Sequence, residues 1–142
     1  MLKSARRWRP LLAVTGFVLL AACSDHDDMR QSSATPANSE PTMMHQTAMG
    51  NVMTTPAGMT VYTYDHDIAG KSNCIGECAE YWPALIVAPG SPQSAHMTMI
   101  KRDNGQMQWA TADGMPLYTY VDDKAPGDIK GDNFHNEWHI VK

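Results

Sequence analysis

One ten-residue pattern occurs twice in this chain. The stretch GMTVYTYDHD, residues 58–67, returns 56 positions later as GMPLYTYVDD, residues 114–123. A tryptophan follows each copy at the same distance, since Trp82 and Trp138 both lie 20 positions after the first tyrosine of their copy. Similarity at a fixed period indicates a repeated structural unit, and a unit this short cannot bury a core of its own. The sequence therefore predicts two related halves that share one core.

Each copy has the alternation of a β-strand. In VYTY and LYTY the two tyrosines fall on one face of the strand, and the aliphatic residue and the threonine fall on the other. The turn signals TPAG, at 55–58, and TADG, at 111–114, precede these strands, and further strand segments at 51–54 and 106–110 precede the turns. The DNG triplet at 103–105 predicts another hairpin within residues 97–110.

The segments that lead into the two tryptophans, CIGECAEYW and GDNFHNEW, are each compatible with a helical turn, and strand-like tails follow them. The predicted fold is a small β-rich (α+β) single domain built from two related β-hairpin-containing repeats with short helical turns. The globular domain is expected to cover residues 50–142, with the repeats at about 50–88 and 97–142.

The first 23 residues match a lipoprotein leader. Four cations among the first nine residues precede an apolar run at 11–22, which is shorter than the roughly 20 residues needed to cross a bilayer core. The tetrapeptide LAAC at 20–23 matches the lipobox, in which the signal is cleaved before the cysteine and the thiol is acylated. The sequence predicts a signal peptide at 1–22 and lipid attachment at Cys23, which would make a membrane the partner.

Residues 24–49, after the leader, contain no Leu, Ile, Val or aromatic residue. Such a segment cannot bury enough apolar surface to offset the entropy of ordering it, so a disordered tether is predicted at 23–49. Ser24 follows the cysteine where an Asp would, by resemblance to Gram-negative sorting signals, hold a lipoprotein at the inner membrane. The expected location is therefore the cell envelope, as an outer membrane lipoprotein facing the periplasm.

Removal of the leader leaves an acidic chain. It takes away four cations and no acids, so the formal net charge changes from −4 to −8. An acidic surface repels phosphate groups, and the sequence has no basic stripe with interleaved aromatic residues. Nucleic acid is therefore not expected as a partner.

The repeated pattern contains the motif Y-x-(F/W/Y)-x-x-D, once at 62–67 and once at 118–123. In this motif, and in the segments 72–85, 104–120 and 125–141, the chain resembles a bacterial family of predicted lipoproteins, also called the secreted repeat of unknown function. The resemblance implies an envelope address and a two-repeat architecture, and it implies no activity. The motif residues and the tryptophans that follow them are Tyr62, Tyr64, Asp67, Tyr118, Tyr120, Asp123, Trp82 and Trp138.

Two roles are open for these residues. The tyrosines are expected to pack in the core with their hydroxyls on hydrogen-bond partners, and the aspartates to cap the loops that leave the strands. The alternative is an aromatic surface that faces a ligand. Neither G-x-S-x-G nor H-E-x-x-H occurs, so the protein is not expected to be an enzyme.

Cys74 and Cys78 remain as an even pair once lipidation has taken Cys23. In an oxidising compartment such a pair is expected to form a disulfide, and positions four apart in a helical turn lie about 6 Å apart at Cα, within the range of that bond. The pair is interpreted as a structural staple. A redox role would need a lowered thiol pKa, which nothing in the sequence indicates.

A cluster of soft donors, Met43, Met44, His45 and Met49, is the main metal candidate, because thioether and imidazole groups suit Cu(I). Calcium at the acidic loop 122–132 is a weaker alternative, since the spacing does not follow the strict loop pattern. No cofactor is expected, with copper as the alternative. The predicted function is a non-enzymatic binding or accessory module of the cell envelope, and the alternative is a copper-binding or redox-accessory lipoprotein.

Overall fold

A computed structural model describes residues 41–142, and these contain six short strands, one α-helix and one 3-10 turn. The predicted signal peptide, Cys23 and residues 24–40 of the predicted tether lie outside this range. In chain order the elements are β1 (Met43–Thr47), β2 (Gly50–Thr54), β3 (Tyr62–Tyr64), α1 (Glu77–Tyr81), β4 (Met97–Lys101), β5 (Met107–Thr111), the 3-10 turn (Phe134–Asn136) and β6 (Trp138–Ile140).

The folded part begins earlier than predicted, because β1 lies within the segment interpreted as tether. β1 pairs with β2 in an antiparallel hairpin, from Met43 opposite Thr54 to Thr47 opposite Gly50. Most β1 side chains are exposed. The strand is therefore held mainly by its backbone hydrogen bonds to β2. Because its side chains are exposed, the sequence has no apolar pattern from which the strand could be predicted. The predicted boundary at residue 50 is wrong for 43–49.

The hairpins that the sequence predicts are present. β4 and β5 pair antiparallel around the turn that contains Gly105, whose φ is 84°. The TPAG and TADG turns have the same hydrogen bonds, since Thr55 accepts from the Gly58 N–H and Thr111 accepts from the Gly114 N–H, both at 2.8 Å. Gly114 has a φ of 86°, which favours glycine.

The two repeats exchange their last strands. β6, which begins at the second tryptophan, pairs antiparallel with β3 of the first repeat. The equivalent tail after Trp82 bridges to the second YTY segment, with Ala84 opposite Tyr118. The strand predicted for this segment is present only as isolated bridges at Pro116 and Tyr118. The tyrosine strands also meet each other, because Tyr62 and Tyr118 exchange backbone hydrogen bonds of 2.9 and 3.0 Å. Each repeat is thus completed by the other, as the shared-core prediction requires.

The tyrosine strands separate two buried clusters. One face packs tyrosines and tryptophans around Tyr62, Trp82, Tyr118 and Trp138. The opposite face packs Val61 and Leu117 with Met97 and Trp109. Alternation along the chain therefore places the tyrosines and the aliphatic residues on opposite faces, as predicted, and each face packs in its own cluster.

The cysteine segment folds differently from the predicted helical turn. α1 begins at Glu77 after Gly76, whose φ is 59°, so Cys78 lies in the helix and Cys74 precedes it. The two cysteines form a disulfide with their Cα atoms 5.2 Å apart. The bond therefore joins the helix to the loop before it. Within residues 41–142, the helices are all too short or too polar to cross a membrane.

Candidate ligand-binding pocket

The two motifs bind each other through reciprocal hydrogen bonds. The Tyr62 hydroxyl donates to Oδ2 of Asp123 at 2.7 Å, and the Tyr118 hydroxyl donates to Oδ2 of Asp67 at 2.5 Å. The first tyrosine of each motif thus binds the aspartate of the other. All four side chains are buried, so the loss of one partner would leave a polar group of the other motif unpaired.

The remaining carboxylate oxygens hold the loops after the motif strands. Oδ1 of Asp67 accepts the backbone N–H of Asn73 at 2.6 Å, and Oδ1 of Asp123 accepts that of Lys130 at 2.9 Å. The aspartates therefore cap these loops, which is the structural role expected from the sequence.

Burial shifts the acid–base properties of these groups. Desolvation, followed by the hydrogen bond to Asp123, raises the pKa of Tyr62 far above its ordinary value. Desolvation and the hydrogen bond to Asp67 do the same to the pKa of Tyr118. Desolvation also raises the pKa of Asp67, although hydrogen bonds from Tyr118 and the backbone oppose that shift. Both phenols therefore remain protonated donors throughout the physiological range.

Four aromatic rings form a column where the repeats meet. Trp82 and Trp138 stack with their centroids 3.7 Å apart and their planes 3° apart. Tyr64 covers the outer face of Trp138, and Tyr120 covers the outer face of Trp82, each at 4.2 Å. Each tryptophan is thus covered by the second tyrosine of the other repeat. The column joins the repeats through the large contact area that aromatic rings provide.

Arg102 makes the two repeats unequal. Its guanidinium donates to the Ser72 hydroxyl at 2.9 Å, to the Gln108 side chain at 2.5 Å and to the Cys74 carbonyl at 2.9 Å. Ser72 lies 2.7 Å from the hydroxyl of Tyr118 and so extends the network to the motif. The position equivalent to Gln108 in the first repeat is Val52, so this polar network belongs to one side of the molecule.

An open pocket of about 430 Å³ lies beside the column, between α1 and the 3-10 turn. We refer to it as the aromatic pocket. Its volume falls in the range of small-molecule sites, roughly 300–1,000 Å³. Its wall is mainly aromatic, with ionisable groups and one cysteine between the rings. The lining residues are Tyr81, Trp82, Tyr120, Phe134, Trp138, Glu77, Asp122, His135 and Cys78.

One wall of the aromatic pocket is a turn in an unusual backbone conformation. Asn133, His135 and Asn136 have φ values of 59°, 54° and 58°, in the left-handed region that residues other than glycine rarely adopt. The ring of His135 stacks on that of Phe134, with centroids 4.2 Å apart and planes 11° apart. Such conformations persist where the surrounding structure holds them, and they cluster at functional sites.

A family model described as "secreted repeat of unknown function" matches residues 43–86 and 98–142, which together make up more than half of the chain. The chain belongs to this family of secreted repeats. Comparison with curated proteins and with solved structures gives no significant match. The two matched segments confirm two repeats, and the first begins at β1 and not at the predicted residue 50.

The predicted motif residues of this secreted repeat protein come together in one place. The four tyrosines and two tryptophans form the aromatic cluster, and both aspartates bind its tyrosines. The predicted disulfide between Cys74 and Cys78 is present and adjoins the same cluster. Cys23, the predicted lipid carrier, lies outside the described residues.

The metal candidates of the secreted repeat protein are not brought together in this way. Met43 and His45 alternate with Met44 along β1, and Met49 lies in the turn after the strand. In residues 41–142 no three His, Cys, Asp or Glu side chains are arranged to hold a metal ion. The acidic loop considered for calcium is used internally, since Asp128 accepts two backbone N–H groups and Asp123 holds its loop.

Sequence reasoning missed the residues that surround the opening of the aromatic pocket. Glu77 and Tyr81 are four apart in α1 and so share a face of the helix, a spacing that could have indicated a site. Phe134 and His135 line the pocket and belong to a left-handed turn that no sequence pattern predicts. Phe134 of that turn packs edge-on against Trp82 of the first repeat, with ring centroids 5.7 Å apart.

Proposed function

We propose that this secreted repeat protein is a cell-envelope lipoprotein, anchored through Cys23, that acts as a non-enzymatic binding module. The ligand site is the aromatic pocket. The observation that carries the proposal is the combination of a small-molecule-sized opening with a mainly aromatic wall, beside a strained turn. The proposed location is the outer membrane, with the domain facing the periplasm.

A binding role is supported over a catalytic one by how the motif groups are used. The hydroxyls of Tyr62 and Tyr118 donate to the two buried aspartates, whose other oxygens accept backbone N–H groups. These polar atoms hold the repeats together and are not directed at a substrate. Three rings of the column, those of Trp82, Tyr120 and Trp138, line the aromatic pocket directly.

The copper alternative has less support. Its four donors are spread over both faces of β1 and the following turn, and the cysteines form a disulfide, which offers no thiolate to a metal. A redox accessory role meets a similar obstacle, because Cys74 is fully buried and would be a poorly solvated leaving thiolate.

The binding function is tested by screening a chemically mixed set of small solutes against the full-length protein, as processed by the expressing cell and purified in non-ionic detergent. The readout is the indole N–H signals of Trp82 and Trp138 in nuclear magnetic resonance spectra, with Trp109, in the other cluster, as an internal control. Solutes that shift the first two signals and leave Trp109 unchanged support the proposal. Binding of solutes only outside the pocket, or no binding at all, would contradict it.

A further inference from the structure

The fixed formal charges that line the aromatic pocket are of one sign. Glu77 and Asp122 contribute carboxylates, and the lining contains no Lys or Arg. Lys130 is close by, but its ammonium group pairs with Asp128 at 3.2 Å and donates to the backbone carbonyl of Asp122 at 3.1 Å. His135 is the one basic side chain in the wall. The pocket therefore has the charge complementarity for a cation.

The carboxylates lie beside aromatic rings. Glu77 and Tyr81 share one face of α1, and Tyr81 is 53% exposed, so part of its ring is open to a ligand. On another side of the pocket, the Asp122 carboxylate accepts the hydroxyl of Tyr120 at 3.2 Å. A cation next to an aromatic ring is attracted to the electron-rich ring face, and a nearby carboxylate adds to that attraction.

The wall selects the kind of cation. A primary ammonium is strongly hydrated and needs acceptors for three N–H groups, whereas most of this wall is carbon. A quaternary ammonium has no N–H group to satisfy, and aromatic surroundings are suited to its methyl groups. We infer that the aromatic pocket binds a quaternary ammonium group through Glu77, Tyr81 and Asp122. This inference rests on the proposed binding function of the same pocket.

The test compares two probes of the same shape. Choline carries a trimethylammonium group, and 3,3-dimethyl-1-butanol carries a neutral tert-butyl group in its place. Each is titrated into the full-length protein in non-ionic detergent while the indole signals of Trp82, Trp109 and Trp138 are followed. We expect choline to shift the signals of Trp82 and Trp138 with an affinity about tenfold higher than that of the alcohol. This factor corresponds to about 1.4 kcal/mol, between the values for exposed and desolvated cation–π contacts.

Two charge variants on one helix provide the matched comparison. Glu77→Gln removes a charge that lines the pocket and should weaken choline binding by roughly three- to tenfold, with little effect on the alcohol. Glu80→Gln removes the same charge from the same helix, away from the pocket lining, and should leave both affinities unchanged. An equal loss in both variants would overturn the inference, because it would indicate a general charge effect.

The other outcomes separate this inference from the binding function. Equal affinities for the two probes at the pocket would overturn the inference that the ligand is a cation, and so would binding there of neutral or anionic solutes only. Either result would leave the proposed binding function standing. No pocket binding by any solute would overturn both. The source of the group is identified after the detergent is removed and the protein is reconstituted into vesicles of phosphatidylcholine or of phosphatidylglycerol. Weaker choline binding in the phosphatidylcholine vesicles indicates a lipid headgroup, and equal choline binding in both indicates a free solute. Either result supports a quaternary ammonium ligand.

Discussion

Trp82 and Trp138 stack face to face, with ring centroids 3.7 Å apart, although they lie in different repeats. The contact is the centre of a symmetric arrangement, because the first tyrosine of each repeat meets its own tryptophan edge-on and the second tyrosine covers the other one. The duplicated spacing in the sequence therefore reflects one shared core. It also explains why neither repeat can bury its tryptophan alone.

Replacement of either tryptophan should strongly destabilise the domain. Trp82→Ala and Trp138→Ala each remove a ring that is 3% exposed and that both repeats contact, so we expect a loss of roughly 3 to 5 kcal/mol in the free energy of unfolding. Urea denaturation followed by far-UV circular dichroism measures the loss. Tyr81→Ala, at an exposed position, is the control and should unfold near the wild-type midpoint. Wild-type midpoints for both tryptophan variants would disprove the shared core.

Gly131 should not tolerate a side chain. A Cβ there would lie 2.7 Å from Cη2 of Trp82 and 2.9 Å from Cζ of Tyr62, both in buried rings. Gly131→Ala should therefore destabilise the protein by about 1 to 3 kcal/mol through overpacking. Trp82→Phe leaves more room, so Gly131→Ala should cost less in that background, which a double-mutant cycle measures. Additive effects of the two substitutions would show that this contact is not the cause.

The sequence was sufficient to predict the turns before the tyrosine segments, one hairpin and the disulfide. The turns and the hairpin around Gly105 follow from local residue preferences and are present. The pairing of Cys74 with Cys78 was expected from the even pair that remains after Cys23 and from their spacing, and it is also present. β1 could not be predicted, because its exposed side chains carry no apolar pattern and its pairing supplies the order. The low apolar content of residues 24–49 thus led to a predicted domain start at residue 50, whereas β1 begins at Met43.

The candidate site was predictable only in part. The motif identified the buried support of the site, since Tyr62 and Tyr118 must satisfy their hydroxyls and the two aspartates follow at a fixed distance. It did not indicate that each hydroxyl bonds to the aspartate of the other repeat. That pairing depends on which tail covers which strand, and so on long-range contacts. The opening itself is lined by Phe134 and His135 of the left-handed turn, which the periodic pattern of the sequence does not indicate.

The buried carboxylate of Asp67 should make stability depend on pH. Burial raises its pKa above the ordinary 3.8. The folded protein therefore holds this proton more tightly than the unfolded chain, and protonation of Asp67 stabilises the fold. This stabilisation is complete below pH 3.8 and is lost as the pH rises through the folded-state pKa of Asp67. The free energy of unfolding of the wild type, minus that of Asp67→Asn, should fall from about pH 3 towards neutrality. A constant or rising difference in urea titrations would contradict this expectation.

Membrane attachment should depend on one side chain. If Cys23 carries the lipid, Cys23→Ser should block acylation, and the protein should leave the membrane fraction or accumulate with its leader uncleaved. Fractionation and intact-mass measurement of both forms test this. Cys74→Ser is the control, because it removes a cysteine within the globular domain and should keep the lipid mass and the membrane location. Unchanged processing of Cys23→Ser would rule out the proposed anchor.

Separated halves should fold only together. β6 of the second repeat pairs with β3 of the first, and the tail at Ala84 bridges to Tyr118, so each half alone lacks the strand that covers its tyrosines. Peptides covering 41–92 and 93–142 should each lack dispersed amide signals in nuclear magnetic resonance spectra.

Mixing the two peptides should restore dispersed spectra and the stacked indole environment, because the junction lies in the loop between Val87 and Met97, which contributes no strand. The full chain cut at the same place is the control and should remain folded. If either peptide folds alone, the exchanged tails are not required for the core. If the cut chain unfolds, the connecting loop has a role in stability beyond joining the repeats.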